Sequence, residues 1–452
     1  MTDNKFKKDL TTGNVWSQLI IFAIPFFVSN LIQSIYSVAD MIILGTFCGE
    51  NSISAVSTSS QVIVIVTNIA MGLSTGGTVM IGQYLGAKQE DKINKSISTL
   101  LITLFSLAVS ITAILLFFTT PILNLMNTPI ESYKEAKDYL IICLSGLIFV
   151  YGYNALSAIM RGLGDSKTPL KFISIASVTN IALDFLFVGY YEKGAAGAAL
   201  ATIIAQALSV ILCIIYLKKH NFVFDFKISS FKFDKSCFKV LLGVGMPSAI
   251  QLVATNFSFL ILTSLINDIG GVTAGAAAGI VNKFNGFAIL PSVAITSSVS
   301  AMISQNMGAK KYQRVKQATR YGLILSCCLC AIVFTIVHIF PDEIFMLFGA
   351  EKHLIYVGKV YLFAFSFEYV FLPFIIGFNA VFTGTGNGWI TMINDITSAF
   401  LVRIPLALFL GFSLDMGLKG IGYSIPAATC LGAIMAIGFY LSGIWKKNKV
   451  VN

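Results

Sequence analysis

The second half of this chain repeats the first. Moving the sequence along by 222 residues places Pro25 on Pro247, Met80 on Met302 and Gln83 on Gln305. The same shift places Gly86-Ala87-Lys88 on Gly308-Ala309-Lys310, and Gly162-x-Gly164 on Gly384-x-Gly386. One offset serving all of these landmarks means two structural repeats of about half the chain each, a plan common among secondary transporters. Both copies are written for lipid. Hydrophobic residues make up 56% of the 452 residues and charged residues 12%, against about a quarter charged in a soluble domain. So much apolar surface has no soluble core to enter. The apolar runs are continuous rather than alternating over about ten residues, which excludes a β-barrel.

Runs able to cross about 30 Å of hydrocarbon at 1.5 Å per residue number twelve. They fall at 15–44, 53–81, 95–119, 137–160, 170–190 and 195–217, then at 238–266, 272–303, 318–340, 355–383, 390–411 and 418–445. Six plus six makes the repeats parallel, related by an axis along the membrane normal. The expected fold is therefore an all-α polytopic membrane protein of twelve transmembrane helices in two pseudo-symmetric six-helix lobes. The expected domains are 1–217, an inter-lobe linker at 218–237, and 238–452. The first apolar run outlasts the h-region of a signal peptide and shows no cleavage pattern, so it is expected to be retained.

The net charge of +10 is an orientation signal. In the twelve-span arrangement most of the 31 Lys and Arg fall on the side holding both termini, which makes that side cytoplasmic. The charges are scattered over loops and both ends, which argues against a nucleic-acid surface. The cysteines lie mainly in spans, and Cys327-Cys328-x-Cys330 is too tightly spaced for a zinc site. No Walker A stretch is present, so ATP is not the energy source on this chain. Gly162-Leu-Gly164 and Gly384-Thr-Gly386-Asn-Gly388 follow membrane spans rather than strands, so they are not dinucleotide loops. The hydrophilic stretch from Lys218 to Lys239 is basic with interleaved aromatics. A tether between bundles explains it better than a helix lying at the headgroups. The matched loops at Gly82–Lys95 and Ser304–Lys316 are read as tight, wet cytoplasmic turns, each a helix stop followed by a start.

Ionisable side chains inside a bilayer are costly and mark cavities or partners. Six are candidates: Asp40, Asp184, Lys283, Glu368, Asp395 and Arg403. Here the repeat is informative by failing, because the shift carries Asp40 onto Leu262 and Asp184 onto Leu406. A requirement common to both halves cannot explain these carboxylates. Asp40 lies in the outer part of the first span and Asp184 in the outer half of the fifth. Asn180, four residues before Asp184, shares its helix face, and Thr202 starts the sixth span at a compatible depth. The four make a candidate site for a proton or a small cation held by oxygen ligands, sodium included; no other metal site is expected. Two carboxylates close together in low dielectric cannot both stay ionised cheaply, so such a pair would take up and release a proton as one coupled unit. In the second half Lys283 and Glu368 lie at similar depth, with Arg403 able to join them. A cargo or coupling site and a buried salt bridge that fixes packing explain that group equally well. Asp395 is near a helix start, where a carboxylate complements the helix dipole. Pro25 and Pro247 each remove a backbone hydrogen bond from the first helix of their repeat and permit a bend, so both are candidate hinges.

The segments IPFFVSNLIQSIYSVADMIILG around Asp40, MIGQYLGAK, MRGLGDSKTP, and NIALDFLFV leading into GAAGAALAT resemble the multidrug and toxic compound extrusion (MATE) family. The resemblance runs from about Val15 to Trp445. It implies two lobes forming a V-shaped cavity that opens alternately to either side, with both termini of a plasma-membrane, multi-pass monomer in the cytoplasm. Carried over by motif, Asp40, Asn180, Asp184 and Thr202 match the amino-lobe cation site of the DinF-like branch. The NorM-like branch also uses a carboxylate on the seventh helix; this chain has none there, although Glu368 lies on the tenth. The implied function is a proton- or sodium-coupled antiporter exporting organic cations or amphiphilic drugs, with no cofactor beyond the transported ion. Gln33 and Tyr36, near Asp40 on the first helix, are candidate cavity-lining residues. A flippase for a lipid-linked precursor is the alternative within the superfamily. An enzyme is not expected, since only His338 of the three histidines is near a span.

Overall fold

The computed structural model describes residues 5–447 and 449–451. Helix α1 spans Val15–Phe47, α2 Gly49–Gly86 and α3 Glu90–Phe117. α4 is a bent pair, Ile130–Ser145 and Leu147–Gly162, with 45° between its parts. α5 is Lys167–Tyr190 and α6 Gly194–Lys219. Next comes a 54-residue run, Lys235–Ala288, interrupted at Gly271 (φ 57°, ψ −151°). Its first part is α7. Its second part, continued by Leu290–Gly308, is α8. α9 is Tyr312–Ile339. α10 is again a bent pair, Lys352–Ser366 and Glu368–Gly384, with 42° between its parts. α11 is Gly388–Ser413 and α12 Gly417–Leu441. Among the described residues nine helices are long and apolar enough to cross a membrane, or up to eleven with each bent pair as one span. Separating α7 from α8 at Gly271 makes twelve.

The repeat is visible in the backbone. Positive φ recurs in matched pairs: Gly49 (76°) with Gly271 (57°), Lys88 with Lys310 (both 58°), Asn127 (50°) with Gly349 (71°), and Gly164 (85°) with Gly386 (83°). These are the helix ends where the chain must enter the left-handed region, which glycine does without strain. The Gly-x-Gly landmark has a second reason. A Cβ on Gly162 would lie 2.8 Å from the Thr78 carbonyl oxygen, and one on Gly384 would lie 2.7 Å from that of Ser300. α4 therefore crosses α2, and α10 crosses α8, at backbone contact, the close approach that small residues allow between membrane helices.

Beyond these pairs the offset changes. Glu192 (φ 49°) pairs with Asp415 (52°), and Gly194 (56°) with Gly417 (55°), at 223 residues rather than 222. One residue has been added to the second repeat between Gly386 and Asp415. α5 ends in a π-helical stretch, Phe185–Tyr190, and α11 has its counterpart, Phe409–Ser413. α11 also has a π stretch without a counterpart, Thr397–Arg403. A π turn is how a helix absorbs an extra residue, and such turns often mark functional sites.

The chain packs as two compact units. Unit 1 holds the chain up to Asp9 and Ile24–Ala249; unit 2 holds Leu10–Ala23 and the chain from Ile250 onward. This differs from a division at 217 and 238, because sequence repeats report shared ancestry rather than packing. The start of α1 belongs to unit 2, where Leu10, Val15, Leu19 and Phe22 are buried in one cluster with Met302 and Met307. The Leu10 N–H donates to Gln305 Oε1 (2.9 Å), and Arg314 donates to the carbonyls of Gly13 (2.7 Å) and Thr12 (3.0 Å). Membership switches inside α1 and α7, beside Pro25 and Pro247 respectively.

The linker differs from expectation too. It is neither a surface helix nor a loose tether. Lys232 N donates to Ser98 Oγ (2.7 Å), Ser98 Oγ donates to Lys232 O (2.8 Å), and Asp234 N donates to Thr99 Oγ1 (3.1 Å). Phe222 and Phe224 are buried, so its aromatics fix the segment to unit 1.

Candidate functional site

In unit 1, α5 and α6 set out the polar groups. Asn180 and Asp184 are one helical turn apart on α5 and both are buried, Asp184 completely. Asn180 Nδ2 donates to Thr202 Oγ1 on α6 (3.3 Å). Asp40, on α1, lies close enough to Asp184 for the two carboxylates to interact directly. Neither oxygen of Asp184, nor Asp40 Oδ1, nor Asn180 Oδ1 has a hydrogen-bond partner. The four residues singled out in the sequence therefore meet in one unit, with four buried acceptor oxygens unsatisfied. Buried acceptors without donors are expensive, and a bound proton or an oxygen-coordinated cation relieves that cost.

The surroundings include Tyr36, already marked in the sequence, and three residues that were not: Gln206, Tyr139 and Cys143. Tyr36 lies near Asp40, Gln33 and Gln206. Tyr139 and Cys143 on α4 are also near Asp40. Gln206 is buried with its Oε1 unpartnered. A polar residue one turn beyond Thr202 on the same face was the available signal. Gln33 is exposed and Tyr36 half-buried. Pro25 is buried within a continuous α1, and its carbonyl accepts from Ser29 Oγ (2.7 Å). An apolar groove of about 450 Å³ in unit 1, lined by residues such as Phe105, Gly152 and Phe231, contains none of these polar groups.

Unit 2 holds a different constellation. Glu368 opens the second half of the bent α10, Arg403 ends the unmatched π stretch of α11, and both are buried. With Asp395, Asn379, Ser398 and Phe259 they line a cavity of about 200 Å³. Asp395 is not simply a dipole partner near a helix start: its oxygens accept from Gln251 Nε2 and from Asn379 Nδ2 (3.0 Å). The Arg403 guanidinium lies over the Phe259 ring, 4.7 Å from the centroid. Lys283 is exposed and is not among the residues lining this cavity, so the structure does not bring it to Glu368. Among the described residues no group of three or more His, Cys, Asp or Glu is placed to hold a metal ion.

The Gly-x-Gly segment that follows α4 proves structural. Asp165 Oδ1 accepts from the N–H groups of Lys167 (3.0 Å) and Thr168 (3.2 Å), so Asp165 caps the start of α5.

The MatE family model matches residues 25–186 and 247–409, one match per repeat. A probable multidrug resistance protein of Bacillus subtilis, YoeA, is 28% identical over 97% of this chain and 96% of its own length. A probable multidrug resistance protein NorM of Thermotoga maritima is 27% identical over 96% of this chain and 94% of its own. A solved outward-facing conformation of a multidrug resistance MATE family transporter superposes with a TM-score of 0.92 at 22% identity, covering 97% of this chain and 98% of that one.

Proposed function

This chain belongs to the MatE family, a family of transporters rather than enzymes, and from that premise we propose that it is a cation-coupled drug exporter of the plasma membrane. Organic cations and amphiphiles are its cargo, and a proton or a sodium ion taken up at Asp40 and Asp184 drives their exit. The observation that carries this reading is the complete burial of Asp184, with both oxygens unpartnered, against Asp40. Such a pair changes its net charge when an ion arrives or leaves, and in a low-dielectric bundle that change is large enough to bias a conformational equilibrium. Asn180 and Thr202 orient the site and supply further oxygens. An inward unit charge is worth about 2.3 kcal/mol per 100 mV, and a tenfold gradient costs about 1.4 kcal/mol. One coupling ion therefore supports more than a tenfold drug gradient. The relatives are named for multidrug resistance, which favours drugs over a lipid-linked precursor as cargo. Pro25 and Pro247 act as the hinges of the cycle, since unit membership changes beside them.

Ethidium efflux from proteoliposomes, with proton and sodium gradients imposed separately, tests the proposal. One gradient should drive efflux in the wild type, and Asp40→Asn and Asp184→Asn should each abolish it while the protein stays folded. Efflux that survives both substitutions would remove the coupling role from this pair.

A further inference from the structure

The change of offset decides what the second repeat does with its copy of the cation site. Residues beyond the π stretch Thr397–Arg403 align at 223 rather than 222. Ala407 therefore stands where Asp184 stands in unit 1, and Ile425 stands for Thr202; Leu262 stands for Asp40 at the earlier offset, and Arg403 closes the π stretch itself. Leu262, Ala407 and Ile425 are all buried in one hydrophobic cluster. The second copy has lost both acids and the hydroxyl to packing, and the unmatched π stretch just before it ends in a guanidinium.

That guanidinium is 8% exposed, and its Nε and Nη1 have no hydrogen-bond partner. Glu368 is 6% exposed with Oε2 unpartnered, and no carboxylate oxygen lies within ion-pair distance of Arg403 among the described residues. Asn379 Oδ1 and Ser398 Oγ, on the same cavity wall, are also unpartnered. A buried salt bridge holding the bundle together would bring Arg403 and Glu368 into contact. Here both line a cavity of about 200 Å³, with donors unsatisfied on one residue and an acceptor on the other. The Phe259 ring lies beneath the guanidinium, and the unpartnered Nε and Nη1 are left for a planar or tetrahedral anion. Asp395 lines the same cavity with its oxygens hydrogen-bonded to the Gln251 and Asn379 amides, so it adds its negative charge to the Glu368 side without an unfilled acceptor.

We propose that this cavity binds a dipolar group, a carboxylate or phosphate against Arg403 and an ammonium on the same molecule against Glu368. A cation alone meets unpaired Arg403, an anion alone meets unpaired Glu368, and leaving a buried charge uncompensated is what costs most. The site therefore discriminates by requiring both charges. No position in unit 1 repeats it, since Glu368 aligns with Gly146, Asn379 with Ser157 and Asp395 with Ile173.

The test measures binding, not transport, so its outcome is separate from that of coupled efflux. Nε-dansyl-lysine is zwitterionic, its methyl ester is a cation and its Nα-acetyl derivative is an anion; the dansyl group brightens on leaving water. With the purified full-length protein the zwitterion should bind about tenfold more tightly than either derivative. Arg403→Gln should erase its advantage over the ester, and Glu368→Gln its advantage over the acetyl form. Equal affinities in the wild type, or advantages that persist in both unit-2 variants, would each overturn the proposal. Should Arg403→Gln fail to fold, the near-isosteric Glu368→Gln decides alone. Nanodiscs of phosphatidylethanolamine and of phosphatidylglycerol distinguish the sources of the group. Competition by phosphatidylethanolamine that Arg403→Gln removes supports a lipid headgroup as occupant, and equal binding in both lipids supports a free solute.

Discussion

Thr202 and Asp165 show how differently two polar residues serve the same bundle. Thr202 accepts from Asn180 and so fixes which way that amide turns beside Asp184. Thr202→Val keeps the shape and removes the acceptor. It should cost about 1 kcal/mol of stability and weaken gradient-driven efflux less than Asp184→Asn does; an unchanged efflux rate would leave Thr202 with packing alone. Asp165 serves the start of α5 through two backbone N–H groups and the Thr168 hydroxyl. Asp165→Ala should lower stability by about 1–2 kcal/mol, seen as a lower unfolding temperature in detergent. At this scale the sequence was most legible where a residue was out of place. Asp40 and Asp184 stand out as charges in apolar runs. Gln206, Tyr139 and Cys143 do not, because each is ordinary in a membrane helix and only the fold brings it near Asp40. Lys283 was equally conspicuous and lies elsewhere, since charge in a run says nothing about which way the side chain faces.

At the scale of elements, the twelve spans could be read but their ends could not. The second helix was expected at 53–81 and runs from Gly49 to Gly86. Its polar ends continue as helix past the hydrocarbon, where hydropathy gives no signal. Close crossings were also hidden. A Cβ on Gly76 would lie 2.7 Å from the Gly245 nitrogen, so α2 and the start of α7 meet backbone to backbone. Gly76→Leu should force them apart and sharply reduce the folded yield on size exclusion, whereas Gly243→Ala, with nothing within 4 Å, should leave it unchanged. The linker yields a pH prediction. Asp234 is held below the usual carboxylate range, chiefly by the Cys237 backbone N–H that its side chain caps, and further by Lys95. A depressed carboxylate contributes stability above its unfolded value, about pH 4, and loses it as pH falls through the lower folded value. Amide-exchange protection factors in residues 231–237, corrected for the intrinsic pH dependence, should therefore fall below about pH 4 in the wild type, a fall that Asp234→Asn should flatten.

For the molecule as a whole, the repeat was the most legible property and also the one that misled. It located the equivalence of the halves to the residue, yet it could not show that a single π turn changes the register late in the second half, nor that packing ignores the repeat boundary. The second point has a consequence for how the chain holds together. Unit 1 takes 235–249 from beyond the linker, and unit 2 takes Leu10–Ala23 from the first helix. Each fragment made by cutting the linker therefore contributes part of a helix to both units. Ile228 is 93% exposed, so a protease site placed at residues 227–229 is accessible without disturbing the bonds at Lys232 and Asp234. After cleavage the fragments should still elute together in mild detergent and unfold near the temperature of the intact chain. Separation on cleavage would mean that the buried contacts of Leu10, Val15 and Leu19 are too weak to hold α1, and the hinge role assigned to Pro25 would lose its anchor.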